Sequence, residues 1–363
     1  MSEVRVAVVG VGNATSAFLQ ALGYYSSPQG AQKEKFLSFL DIGGLSIADI
    51  NIVTAFDIAK GKVGKPINQA IFSLPNVTKR YVDDSLIDNY NVIVQKGPVM
   101  DGINPIAASA IQEDDNHEID VVDELKKANA EVVVCLLPSG AKKAVEFYAD
   151  AALKAECAFI NATPADIASS RKWALKFKRA GLPLVGDDLQ SLLGGTRIHK
   201  GILEVLSTFG AEIVHTYNLD VSGGSEALIT LDSGYRIQKM KSKIKSESIR
   251  KINPHLKQED VVTGTTDYLD FLGSLRIGHF WIKVKDFLGG DIHIDLTVKT
   301  DDGPNAAGTL VDVVRATKIA LARTIDGPVT SISAYGFKNP PQYVPEAQAK
   351  VSFKEFIRGL RNN

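Results

Sequence analysis

Six residues set the strongest limit on what this chain can fold into. Gly10-Val11-Gly12-Asn13-Ala14-Thr15 follows the apolar run at residues 4–9 and opens a segment, residues 14–24, that reads as a helix. Two glycines permit a tight turn and close approach of an anion to the backbone. The helix start then offers unpaired N–H groups and the positive end of its dipole. Thr15 stands where the usual fingerprint has a third glycine, so the turn by itself fits a nucleotide site or a plain strand–turn–helix corner.

The surroundings favour the nucleotide site. Short apolar runs at 51–56, 91–94, 131–137, 157–160 and 182–185 alternate with helical stretches such as 141–155. That alternation predicts an α/β fold with a parallel sheet. Asp57 ends the second run, where a carboxylate accepts hydrogen bonds from a ribose. Its distance from the turn is stretched by residues 25–49, which are rich in Ser, Gly, Gln and Lys and read as an insertion. Pro138-Ser139-Gly140 and Asn161-Ala162-Thr163-Pro164 follow two further strands, at the sheet edge where such folds bind ligands.

Near residue 200 the texture changes. Residues 215–221, 278–284 and 292–300 are longer and partly alternating: His293 and Asp295 face one way, Ile292, Ile294 and Leu296 the other. This is the pattern of a sheet covered on one face. Residues 234–251 form a strongly basic, helical segment, and 305–322 a long amphipathic helix. The expected architecture is a Rossmann-type doubly wound parallel sheet built from 1–199 and 304–363. An α+β catalytic and oligomerisation domain is inserted at 200–303.

Composition narrows the class. With 363 residues, 45% hydrophobic and 23% charged, the chain has room for two domains and a sizeable core. A net charge of -1 gives no bulk reason to expect nucleic acid or an anionic membrane as partner. No signal-peptide pattern and no apolar run near the ~20 residues of a membrane span occur, so a cytoplasmic location is expected. Cys135 and Cys157 read as buried thiols rather than a disulfide pair. Asp291, His293 and Asp295 share a strand face, read as solvated polarity; no metal ligand set is expected.

Many of these residues together resemble the archaeal and actinobacterial branch of the myo-inositol-1-phosphate synthase family. The similar stretches are Gly10-Val11-Gly12-Asn13, Lys96-Gly97-Pro98 with Asp101-Gly102-Ile103, Asn161-Ala162-Thr163-Pro164, and Gly186-Asp187-Asp188. They continue with Pro304-Asn305-Ala306-Ala307-Gly308, Asp312 with Val314-Arg315-Ala316, and Ser333-Ala334-Tyr335 with Lys338-Asn339-Pro340-Pro341. The resemblance implies an isomerase that opens glucose 6-phosphate to its aldehyde and oxidises C5 with NAD as acceptor. It then closes the ring by aldol attack of the C6 enolate on C1, and reduces C5 again. The oxyanions need cations in a dry pocket. The resemblance places Lys239 and Lys243 there, four apart on one helical face, a like-charge pair that a bound anion would relieve. It adds Lys338, Asp188 and Ser191 near nicotinamide and substrate. It brings Gly10, Gly12, Asn13, Ala14, Asp57, Pro138, Ser139, Gly140, Asn161, Thr163, Asp187 and Asp312 to the cofactor. It also implies a homotetramer assembled through the inserted domain.

Departures cluster at the chemistry. Arg276 replaces a family lysine and cannot give up a proton. Asp220, Gly224 and Glu226 replace two asparagines and an aspartate, and Gln190 stands where a lysine is usual. These changes leave two alternatives open: a related enzyme acting on another sugar phosphate, and a non-catalytic NAD-binding homologue.

Overall fold

The computed structural model describes residues 3–31, 37–103, 108, 111–232, 236–253 and 255–363. Seven parallel strands form the first sheet: β1 Val4–Val9, β2 Ile50–Asp57, β3 Val94–Lys96, β4 Val132–Cys135, β5 Ala158–Asn161, β6 Pro183–Gly186 and β11 Gly327–Pro328. Their order, β3-β2-β1-β4-β5-β6-β11, reverses between β1 and β4. A doubly wound sheet binds ligands at that switch, outside the strand ends. Both faces are buried, which is why these strands read as continuous apolar runs rather than alternations. Phe18, Leu22, Leu310 and Val314 pack on one face, from the helices Asn13–Ser26 and Asp302–Ala322. Phe159, Trp173 and Phe177 belong to the core on the other.

The second sheet has the order β10-β9-β7-β8, from β7 Glu212–Ser222, β8 Val261–Tyr268, β9 Leu275–Lys285 and β10 Asp291–Asp301. Only β7 and β8 run parallel; the helices Ser225–Asp232 and Arg236–Arg250 lie between them in the chain and pack on β8. Leu203, Ile213, Ile249, Ile282 and Val284 fill the core on its covered face. Across the other face Trp281 stacks on Tyr217 and meets His293 edge-on. The third strand of the first sheet lies three residues later than its apolar run suggests, and the helix expected over 305–322 begins at Asp302.

Segment 37–45 is tied to the helix Asp302–Ala322 by one side chain. Arg315, fully buried, donates to the carbonyls of Phe39, Leu40, Leu45 and Val311 and to Asp312 Oδ1 at 2.8 Å. Asp312 also accepts from the Tyr335 hydroxyl at 2.8 Å. Removing one member of such a buried pair costs about 3–5 kcal/mol. R315M should therefore lower the unfolding free energy by that order in urea titration; a change under about 1 kcal/mol would contradict this account of the segment.

Candidate active site

A cavity of about 360 Å³ runs from the glycine turn to the second sheet. At Gly10 the chain takes φ +92°, and a Cβ would lie 2.8 Å from the Leu136 carbonyl oxygen, so only glycine fits. At Gly12 a Cβ would meet nothing; the space beside it is open cleft. Asp57 braces the turn. Its Oδ2 accepts from the Val11 N–H at 2.7 Å, and its Oδ1 from Ile58 and Ala59 at 2.8 and 2.9 Å. Ala14, Thr15, Pro138 and Thr163 also line the cleft. Asn13 lines it too, but its Oδ1 is occupied by the N–H groups of Val77 and Thr78, holding the loop at 76–78 against the turn.

The other end is charged. Lys338 Nζ pairs with Asp188 Oδ1 at 2.8 Å, and Asp188 holds φ +62°. Lys241 Nζ meets Glu226 Oε1 at 2.6 Å, an oxygen that also accepts from Ser139 Oγ at 2.9 Å. Asp220, 2% exposed, takes Lys245 and, at 3.5 Å, Arg276 on the same Oδ2, with Asn218 donating to Oδ1 at 3.0 Å. Arg276 Nε reaches Asp302 Oδ2 at 2.5 Å. Ser191, Ser222, Gly224 and Ser225 complete the wall.

Electrostatics follow from this pairing. Burial would raise the Asp220 carboxyl, but Lys245 and Arg276 outweigh it and hold the pKa down to about 2. Lys241, above all, holds Glu226 well below the usual carboxylate range; its side chain faces the cleft although protein surrounds it. Burial lowers the Lys245 pKa, with Arg276 and Lys338 adding to the effect against the pull of Asp220.

The structure moves the lysine pair by two residues. Lys239 and Lys243 are exposed and do not line the cleft; Lys243 pairs with Glu247 on the same helix. Two positions along a helix turn the side chain through about 200°, so Lys241 and Lys245 face the cleft instead. The spacing of four fits both pairs. What sets the phase is packing: Ser242 and Ser246 bond to β8 at Thr263 and Ile249 is buried, and this was legible only once β8 had a place.

Three expected cofactor contacts are structural instead. Asp187, fully buried, accepts from the N–H groups of Ile167, Ala168 and Ser169, from Ser169 Oγ and from Asn161 Nδ2. Burial pushes its pKa up to about 6. Asn161 is thereby committed to Asp187, and Asp312 to Arg315 and Tyr335; none of the three lines the cleft. Ser139 is turned to Glu226 and Gly140, at φ +98°, only bends the chain; neither lines the cleft. Gln190 lines the cleft, and its amide donates to Glu346 at 2.8 Å, the carboxylate that also holds the buried Lys200. Sequence reasoning missed Lys62, Lys241, Lys245 and Asp302.

Fold and cleft define a Rossmann-class enzyme whose glycine-turn pocket opens into a chamber of paired charges. The sequence model of the myo-inositol-1-phosphate synthase family matches residues 194–303. The inositol-3-phosphate synthase of Mycobacterium tuberculosis (strain CDC 1551 / Oshkosh) is 37% identical over 364 residues, 99% of this chain and 96% of the relative. That of Mycolicibacterium smegmatis is 36% identical over 362 residues, 98% of each. The crystal structure of inositol-3-phosphate synthase from Caenorhabditis elegans shares the fold, with a TM-score of 0.75 at 12% identity over 99% of this chain and 86% of that one. The chain belongs to the inositol-3-phosphate synthase family and is an enzyme of that isomerase class, the intramolecular lyases.

The Asp220 pairing has a pH signature. A carboxyl held near 2 when folded, against ~3.9 unfolded, adds stability above about pH 4 that is lost as pH falls toward 2. Wild type should lose on the order of 2 kcal/mol more than D220N between pH 4.5 and 2 in urea unfolding. Parallel pH profiles would show that Asp220 is not held by its cations.

Proposed function

We propose that the chain is an NAD-dependent inositol-3-phosphate synthase, converting glucose 6-phosphate to 1L-myo-inositol 1-phosphate. The observation that carries this is the row of four cations, Lys241, Lys245, Arg276 and Lys338, at the end of a cleft that begins at a glycine turn. The residues fit a dinucleotide: open space at Gly12, helix N–H groups at 13–15, and a free lone pair on Asp57 Oδ2. Bound NAD supplies a hydride acceptor, and later donor, for C5. Asp57 and the turn hold its adenosine half, while Pro138 and Thr163 lead toward Lys338.

As the C5 hydroxyl gives up its proton to Lys338 Nζ, the ammonium passes one of its own to the Asp188 carboxylate it is paired with, and the same relay runs backwards at the end. Lys241 and Lys245 stabilise the oxyanions that form at C5 and C1, each with a carboxylate that keeps it in place before substrate arrives. Arg276 contributes fixed positive charge toward the phosphate or the enolate oxygen and moves no proton. Ser139 bonded to Glu226 joins a loop of the first sheet to a helix of the second unit, residues 200–303, and closes the chamber floor. Assembly as a homotetramer would use the exposed face around Tyr217 and Trp281.

A second reading, a different sugar phosphate, is favoured by one observation: Arg276, which the family resemblance sets against a lysine, is bound to Asp302 and Asp220. Anaerobic incubation with NAD+ and glucose 6-phosphate, followed by phosphorus NMR, separates the two. The main reading expects a cyclitol phosphate without net NADH. NADH without cyclitol, or turnover only of another sugar phosphate, would favour the second. Within the main reading, K245A should lower kcat/KM by about 10²-fold or more, the scale of one lost oxyanion partner. K239A and K243A should stay within about threefold, being solvated; the reverse ranking would restore the sequence-based pair.

A further inference from the structure

We propose that Lys62 sets how strictly the nucleotide end of the cleft discriminates against a 2′-phosphorylated dinucleotide. The proposal rests on the nucleotide reading above.

Among the described residues lining that end, the charged side chains are Asp57, Lys62 and Asp101. Asp101 is spent on the N–H groups of Lys143 and Ala144, at 2.8 and 3.0 Å, at the start of the helix Lys142–Lys154. The neighbouring lysines look elsewhere: Lys60 pairs with Asp115 at the surface and Lys65 donates to Ser73. Lys62 alone of the three is buried, 4% exposed, and burial lowers its pKa. Holding an ammonium there is unfavourable unless charge is needed.

Its bonding leaves capacity unused. Two of its three hydrogens go to neutral acceptors, the Val11 carbonyl and Asn76 Oδ1, both at 2.9 Å. The nearest carboxylate oxygen, Asp57 Oδ2, is 3.9 Å away, beyond hydrogen-bond range. That oxygen has already accepted the Val11 N–H. Oδ2 and Nζ are too close to admit an oxygen in line, but a ribose hydroxyl seated beside them would bridge the two at an angle, donating to Asp57 and accepting from Lys62. A phosphate in the hydroxyl's place would be repelled by Asp57 and attracted by Lys62 at similar range. Asp57 therefore sets the preference for the free hydroxyl, and Lys62 limits how strong that preference becomes.

The test is the ratio of dissociation constants for NAD+ and NADP+, by calorimetry on the full chain without sugar phosphate. K62Q keeps an amide donor for Val11 and Asn76 but loses the charge. It should weaken NADP+ at least about ten times more than NAD+, whereas K62R holds the ratio within about threefold and D57N moves it the opposite way. Equal weakening of both ligands by K62Q would overturn the proposal, leaving Lys62 a prop of the turn; so would an unchanged ratio. A wild-type protein that binds neither dinucleotide would remove the nucleotide reading and this proposal together. Binding with a ratio indifferent to Lys62 removes only the proposal.

Discussion

The reaction chamber depends on carboxylates that hold cations in place. Four cations crowded at the end of one cleft would repel one another and lose their hydration, and each unpaired buried charge is unfavourable by several kcal/mol. Asp220 resolves the worst of this by putting Lys245 and Arg276 on a single oxygen, while Asp302, Glu226 and Asp188 take the remaining charges. With four cations set against four carboxylates the chamber is close to neutral, and its positive groups line one cleft. Preorganised charge of this kind does not have to reorient during a reaction.

Position comes from the two sheets. The first presents the glycine turn, Pro138, Thr163 and Asp188 at the carboxyl ends of its strands. The second presents Asp220 and Arg276 from adjacent strands, and Lys241 and Lys245 from the helix packed on β8. Ser139 bonded to Glu226 and Lys79 paired with Asp301 cross between the two units.

The sheet and its turn were legible because their signals are local: an apolar run, two glycines, an acid at the next strand end. The strand at 94–96 was less so, since β3 is only three residues long and its apolar neighbours lie before it. The lysine pair failed because helical spacing fixes which residues share a face, not which face turns inward; Ser242 and Ser246 against Thr263 decide that. Asp187 and Asp312 were expected at the cofactor because they lie in stretches that resemble the family. Here each satisfies backbone or arginine donors inside the fold. That Arg276 and Asp220 share a salt-bridge network was not legible in the sequence, being a fact of register between β7 and β9, where Ser222 pairs with Arg276 and Asp220 with Gly278.

In the proposed cycle one dinucleotide, held in the cleft throughout, takes a hydride from C5 and gives it back after the cations have carried the ring closure. Glucose 6-phosphate deuterated at C5 tests it directly. The cyclitol phosphate should keep the deuterium at the same carbon, even when a large excess of unlabelled NADH is present in solution. Loss of the label, or its appearance in free NADH, would contradict a closed oxidation–reduction cycle in this cleft.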